Sequence, residues 1–244
     1  MPRIFKVGGC IRDKILGIDS KDIDFTFVVD DLTQTTDEGF SIMSNYMKDK
    51  GFEIFLSTPD CFTIRAKFPK GDKNEKLVAD FVMARKEIGY IEGTRRPILA
   101  LGTLEDDLVR RDFTLNAMAE DDDGNLIDLF NGKADLEKRI LRTPLTAEQT
   151  MMDDPLRFLR ALRFSVTKGF EIHLDIISAM TQPEILEKLN NVVSSERIRE
   201  EMLKMMKADT IKSIKLLTEI EKTIPGFMKI VFSDGLWLKP TFEL

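Results

Sequence analysis

The chain has 244 residues, of which 43% are hydrophobic and 32% are charged, so it can bury the core of one large domain or of two modest ones. Its formal net charge of −6 excludes nonspecific polyanion binding by the whole molecule. Two cysteines without a CxxC spacing and a single histidine disfavour a disulfide framework, a zinc cluster and a histidine-based triad. Since no apolar run of about 18 residues indicates a membrane span and the N-terminus passes directly into a strand pattern, we expect a cytoplasmic, intracellular protein.

The first 83 residues predict a small mixed sheet with helices on one side. Short apolar or alternating segments indicate the strands, and amphipathic segments indicate the helices. The predicted strands are 4–7, 22–29, 61–68 and 77–83, and the predicted helices are 11–16 and 38–50.

Residues 84–103 contain three glycines, one proline and four basic residues, and this composition predicts a mobile loop. A helix is predicted over residues 104–120, and the sequence DDDGN at 121–125 predicts a turn.

Beyond residue 135 the apolar residues recur at helical spacing. The predicted helices are 148–164, 174–190, 195–207 and 209–222. We therefore predict an α+β fold, with a head domain over residues 1–134 and an all-helical domain over residues 135–244.

Asp22 and Asp24 flank Ile23 in the second predicted strand. Residues two apart on a strand point to the same face, so the two carboxylates are expected side by side. Two like charges repel unless a cation lies between them, and hard carboxylate oxygens suit Mg²⁺. The pattern indicates a magnesium site, although a lone Asp-x-Asp is more often a solvated surface.

Gly8 and Gly9 follow the first predicted strand and precede a helix. Glycines in that position let backbone N–H groups approach phosphates closely, and Arg12 can donate two hydrogen bonds to phosphate oxygens. Together with the nearby aspartates, they predict a nucleoside triphosphate site facing a metal, although a Gly-Gly pair alone is usually just a turn.

Several segments in this order resemble one family. GGCIRD (8–13) with DIDF (22–25) is similar to the first motif of the class II tRNA nucleotidyltransferases and bacterial poly(A) polymerases, which belong to the nucleotidyltransferase superfamily that includes DNA polymerase beta. LVRRDFTLNAMA (108–119), DDPLRFLRALRF (153–164) and SSERIREEM (194–202) are similar to its later motifs. The resemblance covers residues 4 to about 207.

The resemblance implies template-independent, Mg²⁺-dependent transfer of CMP and AMP from CTP and ATP to an RNA 3′ end, with release of pyrophosphate. The expected reaction is tRNA CCA addition or repair, with poly(A) synthesis or addition of A alone as alternatives. No basic stretch typical of the poly(A) type follows the first motif, where the chain has CFTIRAKF (61–68), and the loop at 93–113 is more similar to that of the CCA type.

The resemblance also implies roles for residues of the head. Asp80 is the positional match for a third metal-binding carboxylate beside Asp22 and Asp24. Arg111 and Asp112 are expected to reach the nucleotide, and Asn116 is expected to support the site.

In the second domain the resemblance identifies Asp154 and Arg157 as the pair that reads the base. Adenine and cytosine each present an exocyclic amine beside an unprotonated ring nitrogen, which a carboxylate and a guanidinium can bind, whereas guanine and uracil would leave both groups unsatisfied. Arg160 and Arg163 are candidates for phosphate or ribose contacts, although three arginines at this spacing alone indicate a solvated helix face. Asp153 stands where the family usually has glutamate.

The short length of the chain and the site residues that it retains each lead to an expectation. Family members usually extend well beyond 350 residues, so a short RNA-binding part leaves tRNA specificity, oligomeric state and the need for a partner open. An inactive nucleotide- or RNA-binding module is the alternative of another class. Retention of the metal, phosphate and base-reading residues favours an active enzyme.

Overall fold

The computed structural model of the chain describes residues 2–20, 23–90 and 97–233. The chain divides into two compact units, Met1–Leu136 and Glu137–Leu244, which are called the head and the helical unit below. The division predicted from the sequence was after residue 134.

The head contains nine of the described strands and four of the described α-helices. The strands are β1 Arg3–Val7, β2 Asp24–Val28, β3 Glu53–Thr58, β4 Thr63–Lys67, β5 Val78–Met83, β6 Arg85–Tyr90, β7 Pro97–Leu101, β8 Met118–Glu120 and β9 Leu126–Asp128. The helices are α1 Gly9–Ile15, α2 Thr36–Asp49, α3 Leu104–Val109 and α4 Gly132–Glu137.

Seven strands of the head form one mixed sheet in the order β3-β4-β5-β2-β1-β8-β9. β2 and β5 are parallel, while the other neighbours are antiparallel. The predicted α+β class with a mixed sheet in the head is confirmed. β3 was not predicted; it is an edge strand whose Phe55 and Leu56 are exposed, so it lacks the pattern of a buried strand.

Helices cover both faces of this sheet, so the prediction of helices on one side is wrong. Met43 and Met47 of α2 are buried in one core with Phe27 of β2. Leu108 of α3 is buried in a second core with Val28 of the same strand. The reason is that β2 is buried on both faces, with Phe25 and Phe27 on the α2 side and Thr26 and Val28 on the α3 side, so each face needs a cover.

The sequence sets where α2 and α3 begin. Thr35 and Glu38 form a capping box at α2, and Thr103 and Asp106 form another at α3. Each box satisfies backbone N–H groups that the first helical turn leaves without partners. The periodic apolar face of α2 then packs on the sheet.

The segment predicted as a mobile loop, 84–103, contains two paired strands. β6 and β7 form an antiparallel ladder from Arg85 with Leu101 to Tyr90 with Pro97. Residues 91–96 lie outside the described ranges. The glycines, the proline and the basic residues indicated a loop, whereas the pairing of β6 with β7 is a backbone ladder that composition does not encode.

The helix predicted over 104–120 is wrong beyond Val109. A 3₁₀ turn at Thr114–Asn116 follows, and the chain then forms β8. Ala119 of β8 pairs with Val7 of β1, and the burial of these side chains in the α3-side core outweighs local helix propensity.

The helical unit consists of short and medium helices with one small parallel strand pair, β10 Ile140–Leu141 and β11 Glu171–Ile172. The helices are α5 Ala147–Asp153, α6 Leu156–Lys168, α7 Leu174–Ala179, α8 Pro183–Asn191, α9 Ser195–Ala208, α10 Thr210–Thr223 and α11 Phe227–Val231. None of the helices in the described ranges is long and apolar enough to cross a membrane.

Two of the predicted helices, 148–164 and 174–190, are each broken into two. The first break is at Pro155 and the second precedes Pro183. Proline lacks the backbone N–H that a helix interior needs and disfavours helical backbone in the residue before it, so each helix ends before its proline and a new one starts.

Helix α6 lies at the centre of the helical unit. The predicted leucine stripe of Leu156, Leu159 and Leu162 is buried, and so are Phe158 and Phe164. α6 packs against α9 as well as α5 and α10. The arginines of α6 therefore project toward neighbouring helices, which matters for their chemistry.

Candidate active site

Three strand positions of the head meet at one point. Val7 on β1 is in register with Asp24 on β2, which is in register with Asp80 on β5. Each aspartate precedes a phenylalanine that packs on the α2 side of the sheet, so both carboxylates project from the opposite face. Neighbouring strands lie about 4.8 Å apart, which lets two such carboxylates share one cation.

The donor chemistry at this point fits a hard divalent cation. Asp24 is exposed, and Asp80 lies 3.6 Å from Arg65 Nη1 in a half-exposed ion pair that is weak in water. Asp22, the other predicted ligand, lies outside the described residues. Within the described ranges no cluster of three or more His, Cys, Asp or Glu side chains is arranged to hold a metal.

A glycine turn begins beside these carboxylates. Gly8 follows directly on Val7, the residue paired with Asp24, and has a φ of +79°. A Cβ at Gly8 would lie 2.8 Å from Nη1 of Arg111, and one at Gly9 would lie 3.3 Å from Nη2 of Arg12. Both guanidinium groups approach the turn closely, and the left-handed backbone at position 8 favours glycine there.

Arg12 links α1 to the 3₁₀ turn of the head. Its Nη1 donates to Asn116 Oδ1 at 2.6 Å, and Asn116 Nδ2 donates to Asp112 Oδ1 at 2.9 Å. Its Nε and Nη2 donate to the two carboxylate oxygens of Asp13 at 2.9 and 2.8 Å. Arg12, Asp112 and Asn116 are all buried, and Arg12 uses its donor fork on Asp13. The supporting role of Asn116 stays a prediction.

Asp107 anchors the other guanidinium of the turn. Its Oδ2 accepts from Thr26 and from Arg111 Nη2, each at 2.7 Å, and its Oδ1 accepts from Arg110 Nη2 at 2.9 Å. Burial alone would raise the pKa of Asp107, but Arg111, Arg110 and these hydrogen bonds hold it below its ordinary value. Within the described ranges, the buried Nε of Arg111 has no hydrogen-bond partner.

In the helical unit, Asp154 lies between α5 and α6. Its Oδ1 accepts from the backbone N–H of Leu156 at 3.1 Å, and its Oδ2 accepts from Arg197 Nη2 of α9 at 2.8 Å. Arg157 Nη1 donates to the carbonyl oxygen of Thr150 at 3.2 Å. Each carboxylate oxygen has a further lone pair, so Asp154 can still accept from a ligand.

The other arginines of α6 meet a buried carboxylate. Glu201 of α9 is 5% exposed, and its Oε2 lies 2.5 Å from Arg163 Nε. Its Oε1 lies 4.0 Å from Arg160 Nη1. Arg163 also lies over the Phe164 ring, at 4.4 Å from the centroid. The reading of these arginines as a solvated face is therefore wrong for Arg163, which joins α6 to α9.

Residues 4–142 match the family model described as the Poly A polymerase head domain. The chain belongs to this family. The matched range includes the aspartates, the glycine turn and the Arg111–Asp112 segment of the head.

Several proteins and solved structures similar to this chain are named as tRNA nucleotidyltransferases or CCA-adding enzymes. The chain is 35% identical over 230 residues to the mitochondrial CCA tRNA nucleotidyltransferase of Candida glabrata, covering 89% of this chain and 42% of that protein. It superimposes with a TM-score of 0.70 and 26% identity on the CCA-adding enzyme of Bacillus stearothermophilus in complex with CTP, covering 93% of this chain and 50% of that one. A tRNA nucleotidyltransferase complexed with a primer tRNA and an incoming ATP analog gives a TM-score of 0.66 at 27% identity, covering 92% of this chain and 60% of that one. The chain thus spans about half the length of these relatives.

Four polar residues that hold the arginines in place were not identified from the sequence. They are Asp13, Thr26, Asp107 and Glu201, and each holds an arginine or its partner. For Asp107 a signal was present, because Arg110 and Arg111 follow at the three- and four-residue helical spacing. Thr26 and Glu201 reach their partners only through tertiary packing, which spacing along the chain does not encode.

Proposed function

We propose that this chain is a template-independent RNA nucleotidyltransferase that adds CMP and AMP from CTP and ATP to an RNA 3′ end, with tRNA CCA addition or repair as its reaction. One observation carries the proposal. The glycine turn after Val7, Asp24 and Asp80 lie side by side at one point of three adjacent strands. A phosphate-binding turn next to paired carboxylates is the arrangement that phosphoryl transfer requires.

In this proposal Asp24 and Asp80, together with Asp22, hold Mg²⁺. When bound there, the ion would lower the pKa of the RNA 3′-hydroxyl and neutralise charge on the phosphates. The RNA 3′-oxygen forms a bond to the α-phosphorus of the nucleotide as the bond to the β-phosphate oxygen breaks, and pyrophosphate leaves with its electron pair. No covalent enzyme intermediate is needed.

Gly8, Gly9, Arg111 and Asp112 are proposed to bind the nucleotide. The Arg111 guanidinium lies over Gly8 of the turn, and this position supports a phosphate contact. Arg12 was predicted to bind phosphate as well, but its contacts with Asp13 and Asn116 favour a positioning role for it beside the turn.

Asp154 and Arg157 are proposed to select the base. Arg197 fixes Asp154 Oδ2, so the carboxylate is oriented before a nucleotide arrives. Accepting from an exocyclic amine and donating to an unprotonated ring nitrogen suits cytosine and adenine, and each unsatisfied group opposite guanine or uracil would cost about 1–3 kcal/mol. Contacts of Arg160 and Arg163 with ribose or phosphate remain predictions.

The names of the relatives favour CCA addition over poly(A) synthesis, which is the runner-up, and over addition of A alone. Because the chain spans about half of their length, the RNA that it extends is a proposal and is taken to be tRNA. The compartment proposed is the cytoplasm, with the mitochondrion as the alternative raised by the Candida glabrata name.

The test is incorporation of each labelled nucleoside triphosphate, separately and together, into tRNA lacking its 3′ CCA and into an unrelated RNA, with Mg²⁺ present. Addition of C, C and A that then stops, on tRNA only, supports the proposal. Long A tracts on both RNAs would make the chain a poly(A) polymerase, and A only on tRNA ending in CC would make it an A-adding enzyme. ATP binding without incorporation would favour an inactive binding module.

A further inference from the structure

A row of side chains crosses the head sheet through the candidate active site. Beside the glycine turn, Val7 on β1 is in register with Asp24 on β2, which is in register with Asp80 on β5. The row continues beyond Asp80, which is in register with Arg65 on β4. Arg65 is in register with Leu56 on the edge strand β3. Residues in register point to the same face, so the row extends the site by two strands beyond the paired carboxylates.

The outer part of this row is accessible from solvent. The Arg65 side chain is 53% exposed, and Leu56 is 57% exposed. Val78 precedes Asp80 by two residues on β5, so it lies on the same face, and it is exposed as well. Helix α3 covers this face of the sheet at β1, β2 and β8, where its buried leucine packs. At β3 and β4 the face beside the carboxylates is open to a ligand.

The guanidinium of Arg65 can bind an anion while it stays next to Asp80. Its Nη1 lies 3.6 Å from Asp80 Oδ2, which is a half-exposed pair and longer than a hydrogen bond. A guanidinium has five N–H donors in a planar fork, and this fork matches two oxygens of one phosphate.

The charges around Arg65 favour an anion when the carboxylates hold a metal. The other charged residues on this face of β3, β4 and β5 are Glu53, Lys67 and Asp80. Glu53 is in register with Lys67, so these two opposite charges offset each other. Asp80 and Asp24 are proposed Mg²⁺ ligands, and a divalent cation balances two carboxylates. Among the described residues of these strands, Arg65 then carries the remaining positive charge.

The geometry of the proposed reaction determines which ligand lies on this side of the carboxylates. In phosphoryl transfer the attacking and leaving oxygens lie roughly in line, on opposite sides of the phosphorus. In the proposed function the glycine turn, at one end of the row, binds the phosphates that leave as pyrophosphate. The attacking RNA 3′-oxygen therefore comes from the other end, where Arg65 and Leu56 lie.

We propose that Arg65 and Leu56 bind the 3′-terminal nucleotide of the RNA that is extended. Arg65 donates to the phosphate on the 5′ side of that nucleotide, and Leu56 contacts its ribose. Phosphate contacts position a nucleic acid without reading its sequence, so the same contact is expected for any RNA 3′ end that enters the site. The inference rests on the proposed function, which supplies the end of the row that holds the triphosphate.

The first test locates the RNA end by photo-crosslinking to the full wild-type chain. Mg²⁺ is present and nucleoside triphosphates are left out, so no transfer takes place. The probe is a tRNA that lacks its 3′ CCA and carries 4-thiouridine at its last position. Trypsin cleaves after Lys50 and Arg65, so Leu56 lies in the peptide 51–65, and we expect the crosslink there. Crosslinks that map only to other peptides would overturn the proposal.

The second test measures the affinity of the same RNA by fluorescence anisotropy under the same conditions, with a dye at its 5′ end. Arg65→Ala is expected to weaken binding by about tenfold, the effect of one charge-assisted hydrogen bond. Arg65→Lys should recover part of this loss, because an ammonium still contacts phosphate. Lys48→Ala is the matched control and should bind as wild type does, since Lys48 is an exposed cation on α2, which packs on the opposite face of the sheet. Equal affinities of Arg65→Ala and wild type would contradict the proposal.

Steady-state kinetics distinguishes this contact from an effect on the metal site. Arg65→Ala should raise KM for the RNA about tenfold and leave KM for CTP unchanged. A fall in kcat with an unchanged KM for the RNA would mean that Arg65 acts through Asp80, and the proposal would fail. If wild type incorporates no nucleotide, the proposed function fails, while the crosslink and the affinity of Arg65→Ala still decide whether Arg65 and Leu56 bind the RNA end.

Discussion

The Asp107 carboxylate accepts a hydrogen bond from the Thr26 hydroxyl at 2.7 Å and thereby joins helix α3 to the central strand β2. The same oxygen accepts from Nη2 of Arg111. The other terminal nitrogen of this guanidinium, Nη1, lies over Gly8. A buried carboxylate on α3 therefore fixes the guanidinium that covers the proposed phosphate-binding turn. Its neighbour on β2, Thr26, lies two residues from Asp24 on the same face of the sheet.

Asp107→Asn tests this arrangement, because it keeps the shape and removes the charge. The amide removes the charged acceptor of Arg111 at a side chain that is 2% exposed, and breaking a buried pair in this way costs about 3 kcal/mol or more. We expect a loss of this size in the free energy of unfolding in urea.

Glu105→Gln is the matched control for Asp107→Asn. Glu105 is exposed on the same helix, so its substitution should change the free energy of unfolding by less than about 0.5 kcal/mol. Equal, small effects of the two substitutions would contradict an anchoring role for Asp107.

The stabilisation by Asp107 is expected to depend on pH in a defined direction. The pKa of Asp107 in the folded chain lies below its ordinary value, so its contribution is present above the unfolded-state pKa of about 3.9 and is lost as the pH falls through the folded-state pKa. The difference in unfolding free energy between wild type and Asp107→Asn should be constant near neutral pH and shrink below about pH 4. A difference that grows on acidification would refute this assignment.

Asp24→Asn should separate catalysis from folding. We expect nucleotide incorporation to fall by at least about 100-fold, since even the loss of a partner of a metal ligand costs 10–100-fold. Because Asp24 is exposed at the start of β2, the unfolding free energy should change by less than about 0.5 kcal/mol. Asp49→Asn, at an exposed position of α2, should leave both quantities unchanged. Full incorporation by Asp24→Asn would show that Asp24 is not a metal ligand.

Glu201→Gln tests the contact between α6 and α9. The substitution leaves Arg163 without its charged partner at a buried site, and we expect a loss of about 3 kcal/mol or more in unfolding free energy. Glu200→Gln alters the adjacent side chain, which is 71% exposed and pairs only with Lys204 at 3.5 Å, and should cost less than about 1 kcal/mol. If the two variants are equally stable, Arg163 is available for the nucleotide contact predicted from the sequence.

The fold followed from the sequence where local signals agreed with tertiary packing. β1, β2, β4, β5 and α2 begin and end within a few residues of their predicted bounds, because alternation, apolar periodicity and capping residues all indicate the same elements. The secondary structure was predicted wrongly where tertiary packing, and not local sequence, determines it. Residues 114–120 have helical periodicity, but 114–116 form a 3₁₀ turn and 118–120 join the sheet beside β1, and the edge strand β3 has no buried face pattern.

The residues of the candidate site also differ in whether the sequence indicated them. The carboxylates and the glycine turn could be identified because their spacing along the chain is itself the signal, and the ladder then brings Asp24 beside Asp80. The partners of the arginines could not be identified from the sequence, because a flexible guanidinium can pair with any carboxylate that the fold brings near it. Arg163 meets Glu201, which is 38 residues away in the sequence.

The contact between Arg197 and Asp154 gives a prediction about specificity. Arg197 Nη2 holds Asp154 Oδ2 at 2.8 Å, but the arginine side chain is 55% exposed, so the pair adds less than about 1 kcal/mol to stability. In Arg197→Ala the Asp154 carboxylate loses this orientation while keeping its charge. We therefore expect little change in unfolding free energy but a fall of about tenfold in the preference for CTP over UTP, since one misplaced hydrogen bond is worth about 1–2 kcal/mol.

The measurement is kcat/KM for incorporation of CTP and of UTP by wild type and Arg197→Ala. Lys204→Ala, at an exposed position on the same helix, is the control and should keep the wild-type ratio. Arg197→Lys should restore part of the preference, because an ammonium can still donate to Asp154 although without the planar fork. A lower kcat/KM for both nucleotides with an unchanged ratio would mean that Arg197 supports the helical unit without orienting Asp154, the carboxylate proposed to read the base.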